Sequence, residues 1–367
     1  MFIFSKQLIH MKKILFIDRY QFGYTTDSLK YCEYLNKKYK IRYISFDFGW
    51  KKIQVPNINV IYIPRIGNLV IRAVIFILAA LYNILFFHSF IFILYFPKCS
   101  ILKRIIFWKK MHIDVRTLSV MANPEEREKS DQQMQKDLYY FDSSSFITQG
   151  IKQKISLPKK QKSFILPLGA DIISTTNKSF EELNLLYVGT LSNRNIIETV
   201  KGVIDFVKSH PNLKIHYDII GDGINDEIKE LSQLIKNKNA EKYITLHGRL
   251  PYYSLQPFFD THNIGISFIP ITDYYAYQPP TKTYEYILSG LFCMATATIA
   301  NQEIITTTNG ILHQDNAKSF TEALEKILKN RHLYNSVAIR ETLLNYQWGN
   351  IINNYLLPII EQNHING

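Results

Sequence analysis

A lysine in the first turn of a helix is electrostatically misplaced unless something negative shares the site. The segment YQPPTKTYEYILSG (277–290) puts one there. Pro279 and Pro280 hold the chain extended, Thr281 is placed to cap the helix that follows, and Gly290 ends it. A helix N-terminus already carries partial positive charge, so an acid would suit this turn and Lys282 does not. Two readings are open. In one, Lys282 and Glu285, three residues apart, are an internal ion pair of a capped helix. In the other, the ammonium group and the helix end bind an anion together, with Thr283 alongside, and the Glu285 carboxylate accepts two hydrogen bonds from a vicinal diol.

Other residues stand at comparable places. Gly189 and Thr190 end the strand-like run LNLLYVGT, and Arg194 follows in GTLSNRN, either as a solvated loop residue or as a group that meets phosphate oxygens in two bonds. Gly221 and Gly223 flank Asp222, as a tight turn or as a place of close backbone approach. Gly248 and Arg249 close a further strand. In the N-terminal half, His112, Asp114 and Arg116 alternate along HIDVRTLS, so a strand would point all three to one face. Three polar groups on a core strand need partners or a cleft. Gly23 follows the first strand and leaves its backbone open to approach.

The elements that position these residues alternate. After residue 183 come five short apolar runs, LNLLYVGT, LKIHYDIIGDG, YITLHGRL, IGISFIPI and LFCMATAT, separated by stretches of helical period such as IIETVKGVIDFVKSH and INDEIKELSQLIKN. Before residue 175 the same theme recurs in KKILFID, IRYISFDF, NVIYIP, FIFILYF and KKMHIDVRTL. Strand–helix alternation predicts parallel βαβ units. The expected fold is α/β, with two Rossmann-like doubly wound domains (1–175 and 176–345) facing across a cleft. Residues 346–367 would be helices returning to the first domain, anchored by Trp348. Ligands are expected at the C-terminal ends of the strands.

The bulk numbers fit such a chain. It has 367 residues, 47% hydrophobic and 20% charged, which describes a folded protein with a sizeable core and excludes a disordered one. The formal net charge of +12 suits an anionic partner as well as simple solubility. Cys32, Cys99 and Cys293 are odd in number and match no zinc or disulfide spacing, which points to a reducing compartment. The N-terminal MFIFSKQLIHMKKILFID is too interrupted for a secretory leader, and Met11 reads as a start. One segment resists the scheme. LVIRAVIFILAALYNILFF (69–87) is long enough to cross a bilayer, yet crossing would divide a sheet. It is read as a buried core helix or as a helix lying in the membrane interface, and the cations around it favour the interface.

The series VGT, GDG, HGR, PPTKTYEY and SG, in this order and at these distances, resembles the donor-binding domain of GT-B glycosyltransferases, family 4 (group 1) in particular. The likeness covers residues 183–350, and 11–175 at the level of fold. It implies a nucleotide-diphosphate sugar held by Gly189, Thr190, Arg194, Gly221, Gly223, Gly248, Arg249, Lys282, Thr283 and Glu285, the lysine and glutamate gripping diphosphate and ribose. Two departures stand out. The first glutamate of the family's paired-glutamate pattern is Tyr277 here, and the arginine expected directly after the first glycine is Thr190, with Arg194 as its substitute. On the acceptor side, Asp114 or His112 would help take the acceptor hydroxyl proton, and Arg116 would hold an anionic acceptor or the donor phosphates.

The resemblance implies a retaining hexosyltransferase acting by front-face displacement on a saccharide or lipid-linked saccharide, in cell-surface polysaccharide biosynthesis. No cofactor beyond the donor substrate and no metal is expected: no aspartate-x-aspartate motif sits in a suitable loop, and Arg194, Lys282 and a helix end would neutralise the leaving diphosphate instead. The expected location is cytoplasmic, peripheral at the inner face of the cytoplasmic membrane. No nucleic-acid module is present, so nucleic acid is not an expected partner. The rival readings are a non-catalytic nucleotide-sugar-binding partner protein and a nucleotide-sugar epimerase of the same fold.

Overall fold

The computed structural model describes residues 12–87, 90–223 and 226–364. The reading of the N-terminal stretch, with Met11 as a start, lies outside these residues. The chain divides into two units: Met1–Leu168 with Trp348–Gly367, and Gly169–Gln347.

The first unit contains β1 (Lys13–Ile17), α1 (Thr26–Leu35), β2 (Lys40–Asp47), β3 (Ile58–Pro64), α2 (Leu69–Phe86), β4 (Phe90–Leu94), α3 (Ser100–Ile105), β5 (Met111–Val115), α4 (Pro124–Leu138), β6 (Ser143–Phe146), α5 (Gln149–Gln153) and β7 (Lys162–Ile165). The strands form one sheet in the order β3-β2-β1-β4-β5-β6-β7, with every pairing parallel. Strands covered on both faces read as continuous apolar runs. Accordingly β4 (FIFIL) is buried throughout, and β1 (KILFI) is buried after its first residue. The strand order reverses between β1 and β4, the point at which such sheets open a crevice at their carboxyl ends.

The second unit repeats the plan with β8 (Leu183–Val188), α6 (Ile197–Ser209), β9 (Ile215–Ile220), α7 (Glu227–Asn237), β10 (Ile244–Gly248), α8 (Gln256–Thr261), β11 (Ile264–Ser267), α9 (Thr281–Leu288), β12 (Phe292–Thr296), α10 (Ile299–Gln302), β13 (Gly310–His313), α11 (Ala317–Asn330) and α12 (Ser336–Glu341). Its sheet runs β10-β9-β8-β11-β12-β13, also all parallel. Counted within the unit this is again 3-2-1-4-5-6, reversing between β8 and β11. Two doubly wound α/β sheets are therefore present, as the alternation predicted.

The final helices, α13 (Trp348–Ile351) and α14 (Leu357–His364), belong to the first unit. Trp348 is buried and meets the edge of Tyr31 in α1, ring centroids 6.0 Å apart.

Several elements escaped the sequence reading, among them the short helices α3, α10 and α12, strands β7 and β13, and helix α4. Strands β7 and β13 are four-residue edges, too short to show a period. Helix α4 (PEEREKSDQQMQKDL) is polar almost all round and buries only Met134, Asp137 and Leu138, so it has no apolar stripe. Local chemistry still starts it: Asn123 accepts from the amides of Glu125 and Glu126, Pro124 follows, and both acids sit in the first turn.

Candidate functional site

The switch point of the second sheet places the residues that matter. Gly189 follows β8, and the segment after β11 leads into α9, which carries Lys282 and Glu285. Helix α9 is fixed by its inner face. The Tyr286 hydroxyl accepts the Val188 amide at 2.8 Å, and its ring covers Gly265, where a Cβ would come within 2.2 Å of it. The Thr283 hydroxyl is bonded to Ser267 at 2.7 Å and to the Asn301 side-chain oxygen at 3.2 Å. Thr283 is fully buried in that network. Its expected part in holding a ligand is corrected: it locks the helix to the sheet.

With Thr283 and Tyr286 turned inward, Lys282 and Glu285 lie on the adjacent strip of the helix, both half-buried. The Lys282 Nζ lies 3.8 Å from the centre of the Tyr187 ring and 2.8 Å from the point a Cβ on Gly189 would occupy. Gly189 stands at φ +148°, a backbone conformation that side-chain-bearing residues rarely adopt, and a Cβ there would also press the ammonium group aside. Burial and then the Arg194 guanidinium bring the Lys282 amine down to about 7, against the pull of Glu285. Glu285 moves the other way. Burial and the Asp171 carboxylate raise it to about 7, offset by Lys282 and by a hydrogen bond from Tyr252. Tyr252 follows β10 and Asp171 precedes β8, so two segments distant in sequence act on this carboxyl. The ring of Tyr275 backs the Arg194 guanidinium at 4.5 Å.

The start of α9 differs from expectation in one respect. Its cap position is Pro280, no side chain caps it, and its first turn has no acid. Thr281 is the first helical residue rather than the cap. An uncapped helix end with two nearby cations is a place where negative charge would be stabilised.

The other glycine-centred positions fall around this point in different ways. Gly221 crosses Gly189 so closely that a Cβ there would stand 1.8 Å from the Gly189 carbonyl oxygen. Its amide donates to the Gly248 carbonyl at 2.8 Å, and the Gly189 amide to Ile220 at 2.9 Å. These contacts hold the three strand ends together. Thr190 is exposed; its carbonyl accepts the Tyr187 hydroxyl at 2.6 Å. At Gly223 a Cβ would meet the Glu227 carboxylate at 2.4 Å, whereas Gly248, at φ +67°, has open space beside it. The Arg249 side chain is 80% exposed and stands 3.6 Å from Asp222, a surface pair of small worth.

In the first unit the strand triad is largely structural. His112 is fully buried among aromatic rings, with Phe92 5.0 Å away, and its two ring nitrogens meet the Ser143 and Ser145 hydroxyls at 2.9 Å. Burial takes its pKa down to about 3. The expectation that it takes a substrate proton is corrected: it is a neutral core histidine, partnered by the next strand. Asp114 is also enclosed. It accepts Ser145 at 2.5 Å, and burial raises it to about 6 despite Arg116. Arg116 lies one residue past β5 and clasps Asp27 of α1 at 2.5 Å and the Leu166 carbonyl at 2.7 Å, so it ties the strand end to α1. The space beside Gly23 is filled by Ile53, whose Cδ1 would lie 2.4 Å from a Cβ, which corrects its expected openness to a ligand.

Sequence reasoning missed Tyr187, Asp171, Tyr252 and Tyr275. It also missed Asp18, at the end of β1. Asp18 accepts the Tyr43 hydroxyl at 2.8 Å and is raised by burial to about 6. An acid closing an apolar strand (KKILFID) was the available signal.

A family model described as "Glycosyl transferases group 1" matches residues 182–330. Residues 182–330 are a group 1 glycosyltransferase domain. The solved structures that share the fold include sucrose-phosphate synthase from Thermosynechococcus elongatus, at TM-score 0.75 and 15% identity, covering 97% of this chain and 100% of that one. Anabaena HepE in complex with UDP matches at TM-score 0.70 and 11% identity over 95% and 100% of the two chains. The lipopolysaccharide outer core galactosyltransferase WaaB, in its apo form, matches at 0.68 and 15% over 94% and 99%. At these identities the likeness is one of fold, the GT-B glycosyltransferase fold. No curated protein sequence matches the chain. The glycosyltransferase domain contains both Lys282 and Glu285, so the uncapped helix end described above is part of it.

Proposed function

We propose that this glycosyltransferase takes a sugar from a nucleotide-diphosphate donor and transfers it, with retention of configuration, to a saccharide or lipid-linked saccharide in cell-surface polysaccharide assembly. The observation that carries the donor side is Lys282, on the uncapped end of α9, lowered to about 7 beside Arg194 within the group 1 domain. The diphosphate would lie against Lys282, Arg194 and the first amides of α9. Glu285, with Tyr252 behind it, would take the ribose hydroxyls. Charge gathers on the leaving diphosphate as the glycosidic bond breaks, and preplaced cations are worth most there, roughly 3–4 kcal/mol for one well-aimed donor. The same cations make the reaction metal-independent in this reading. The fold relative HepE is described in complex with UDP and with UDP-glucose, which makes uridine diphosphate sugars the first donors to try.

Thermal-shift titration with nucleoside diphosphates, on wild type, Lys282→Ala and Glu285→Ala, tests the donor side. A ligand at 100 times its Kd raises stability by about 2.7 kcal/mol. One nucleotide should shift the wild type and neither variant; no shift with any nucleotide would sink the assignment. A second reading rests on Tyr277, which stands where the resemblance expects a glutamate near the donor sugar: a non-catalytic nucleotide-sugar binder. Binding without transfer or donor hydrolysis, over a broad acceptor panel, would favour it.

A further inference from the structure

Helix α2 is apolar on every side, and only one side is covered. Phe76, Ala80 and Ile84 are buried on the sheet, with Phe76 against Phe46 at 4.6 Å. On the opposite side Ile71, Val74, Leu78, Tyr82 and Phe86 recur every three or four residues, in an arc about 120° wide at 100° per residue. They are 47, 51, 61, 63 and 64% exposed. The two polar interruptions are spent inside the unit: Arg72 donates to the Gly67 carbonyl, and Asn83 accepts from Arg42 and donates to Ala79. Helix α3 packs beside α2, and the turn after it adds Phe107 and Trp108, 72 and 59% exposed. A water-facing helix would carry charges on such a stripe.

Charge is also sorted along this part of the chain. From Phe48 to Ile113 there is no aspartate or glutamate, against nine lysines and arginines. That is three quarters of the net +12 in 66 residues. Arg65 and Arg72 lie at the N-terminal end of α2, and Arg104, Lys109 and Lys110 lie around the aromatic turn. At the other end Lys13 and Arg42 sit over the Phe87 ring at 5.5 and 4.3 Å.

We propose that the outward stripe of α2, with Phe107 and Trp108, is a docking face that lies in the headgroup layer of an anionic bilayer. An apolar stripe ringed by cations is the pattern of a helix lying in the interface plane. Crossing the bilayer is incompatible with the fold, because β3 before α2 and β4 after it belong to one sheet through β2 and β1. A second copy of the chain would bring like charges together around the stripe, which disfavours self-association as the occupant. The inference deepens the reading of a lipid-linked acceptor, but the face itself stands on α2 and does not depend on the donor site.

The test is co-sedimentation of the full chain with vesicles of phosphatidylcholine alone or mixed with phosphatidylglycerol. Trp108 fluorescence and nucleotide titration are followed on the same samples. The chain should pellet with the anionic vesicles, lose that binding in high salt, and show a blue shift that Trp108→Phe removes. Leu78→Glu with Phe86→Glu, both exposed positions, should weaken vesicle binding at least about tenfold while melting temperature and nucleotide affinity stay as in wild type. Protein left in the supernatant with anionic vesicles, or pelleting unchanged by the double variant, overturns the proposal. So does a dimer that the double variant dissolves without any vesicle binding. Resistance to alkaline extraction would overturn the lying geometry in favour of a span. Loss of nucleotide binding with vesicle binding intact would bear on the donor assignment alone.

Discussion

Replacing Lys282 by methionine keeps most of the length of the side chain and removes its ionisable amine, which makes the charge of this one group measurable. In the resting protein, burial and Arg194 bring the amine down to about 7, so above neutrality a growing fraction is uncharged. A diphosphate seated against it favours the charged form and lifts its pKa back toward the ordinary value of about 10.4. Donor binding is then coupled to proton uptake. With the bound pKa above the free one, affinity is full below the free value and falls as pH rises through it, about tenfold per unit until the bound value is reached. Half of the amine is already uncharged at about pH 7, so from there to about pH 9 the loss is about 50-fold, or about 2.3 kcal/mol. In Lys282→Met the slope disappears. Below neutrality the variant binds about 10- to 150-fold more weakly than wild type, the worth of one hydrogen bond to a charged group. Calorimetric titration with UDP across this range reads both effects, since a terminal phosphate with a pKa of about 6 is ionised throughout. Glu285, raised to about 7, titrates in the same window, so Glu285→Gln run in parallel isolates the lysine. A wild-type Kd that stays flat from about pH 7 to about pH 9, or that equals the variant's throughout, would refute the reasoning.

Two further outcomes follow from the same contacts. Asp218 accepts from His216, His247 and His262 at 3.2, 2.6 and 2.8 Å; although burial opposes it, these bonds hold its carboxyl well below the usual range, and the Asp218 bond raises His216. A raised histidine contributes stability that is fully present below its unfolded pKa of about 6.5 and lost as pH rises through the folded value. Asp218→Asn should therefore lower the melting temperature most in mildly acidic buffer, with the gap from wild type narrowing toward alkaline pH; a gap independent of pH would dismiss the coupling. His112→Asn should cost on the order of 2–3 kcal/mol of stability, by denaturant melt, through lost serine bonds and a core void. UDP affinity should stay within about twofold of wild type, and a large fall in affinity with little loss of stability would return His112 to the site.

Much of the site was legible because it is local. Lys282 and Glu285 sit three apart in one helix, and the prolines before them and Gly290 after them mark where that helix starts and stops. The incongruity of a cation in a first turn needs no fold to be noticed. Tyr187, Tyr252 and Asp171 were not legible, because they come from separate segments that only the order β10-β9-β8-β11 brings to one carboxyl edge. His112 was misread for the converse reason. A polar residue on a core strand can face a cleft or be satisfied by its neighbour, and the register that sets His112 against Ser143 decides for the neighbour. The serine run SSSF, which supplies Ser143 and Ser145, is the sign of this in the sequence.

The sequence by itself determined the class of fold, through apolar runs too short for helices alternating with stretches of helical period. It also determined the order of the motifs VGT, GDG, HGR and PPTKTYEY and the skew of charge between residues 48 and 113. Each of these is a property of neighbours along the chain. The tertiary structure alone decided which of the candidate residues keep a free side. It turned Thr283 inward onto Ser267, closed His112 and Asp114 under β6, filled the space at Gly23 with Ile53, and left Lys282 over Tyr187 beside a bare Gly189. Burial and strand register depend on residues far apart in the chain, and burial moved Lys282 and Glu285 toward a common pKa of about 7 where neither would titrate in an isolated helix.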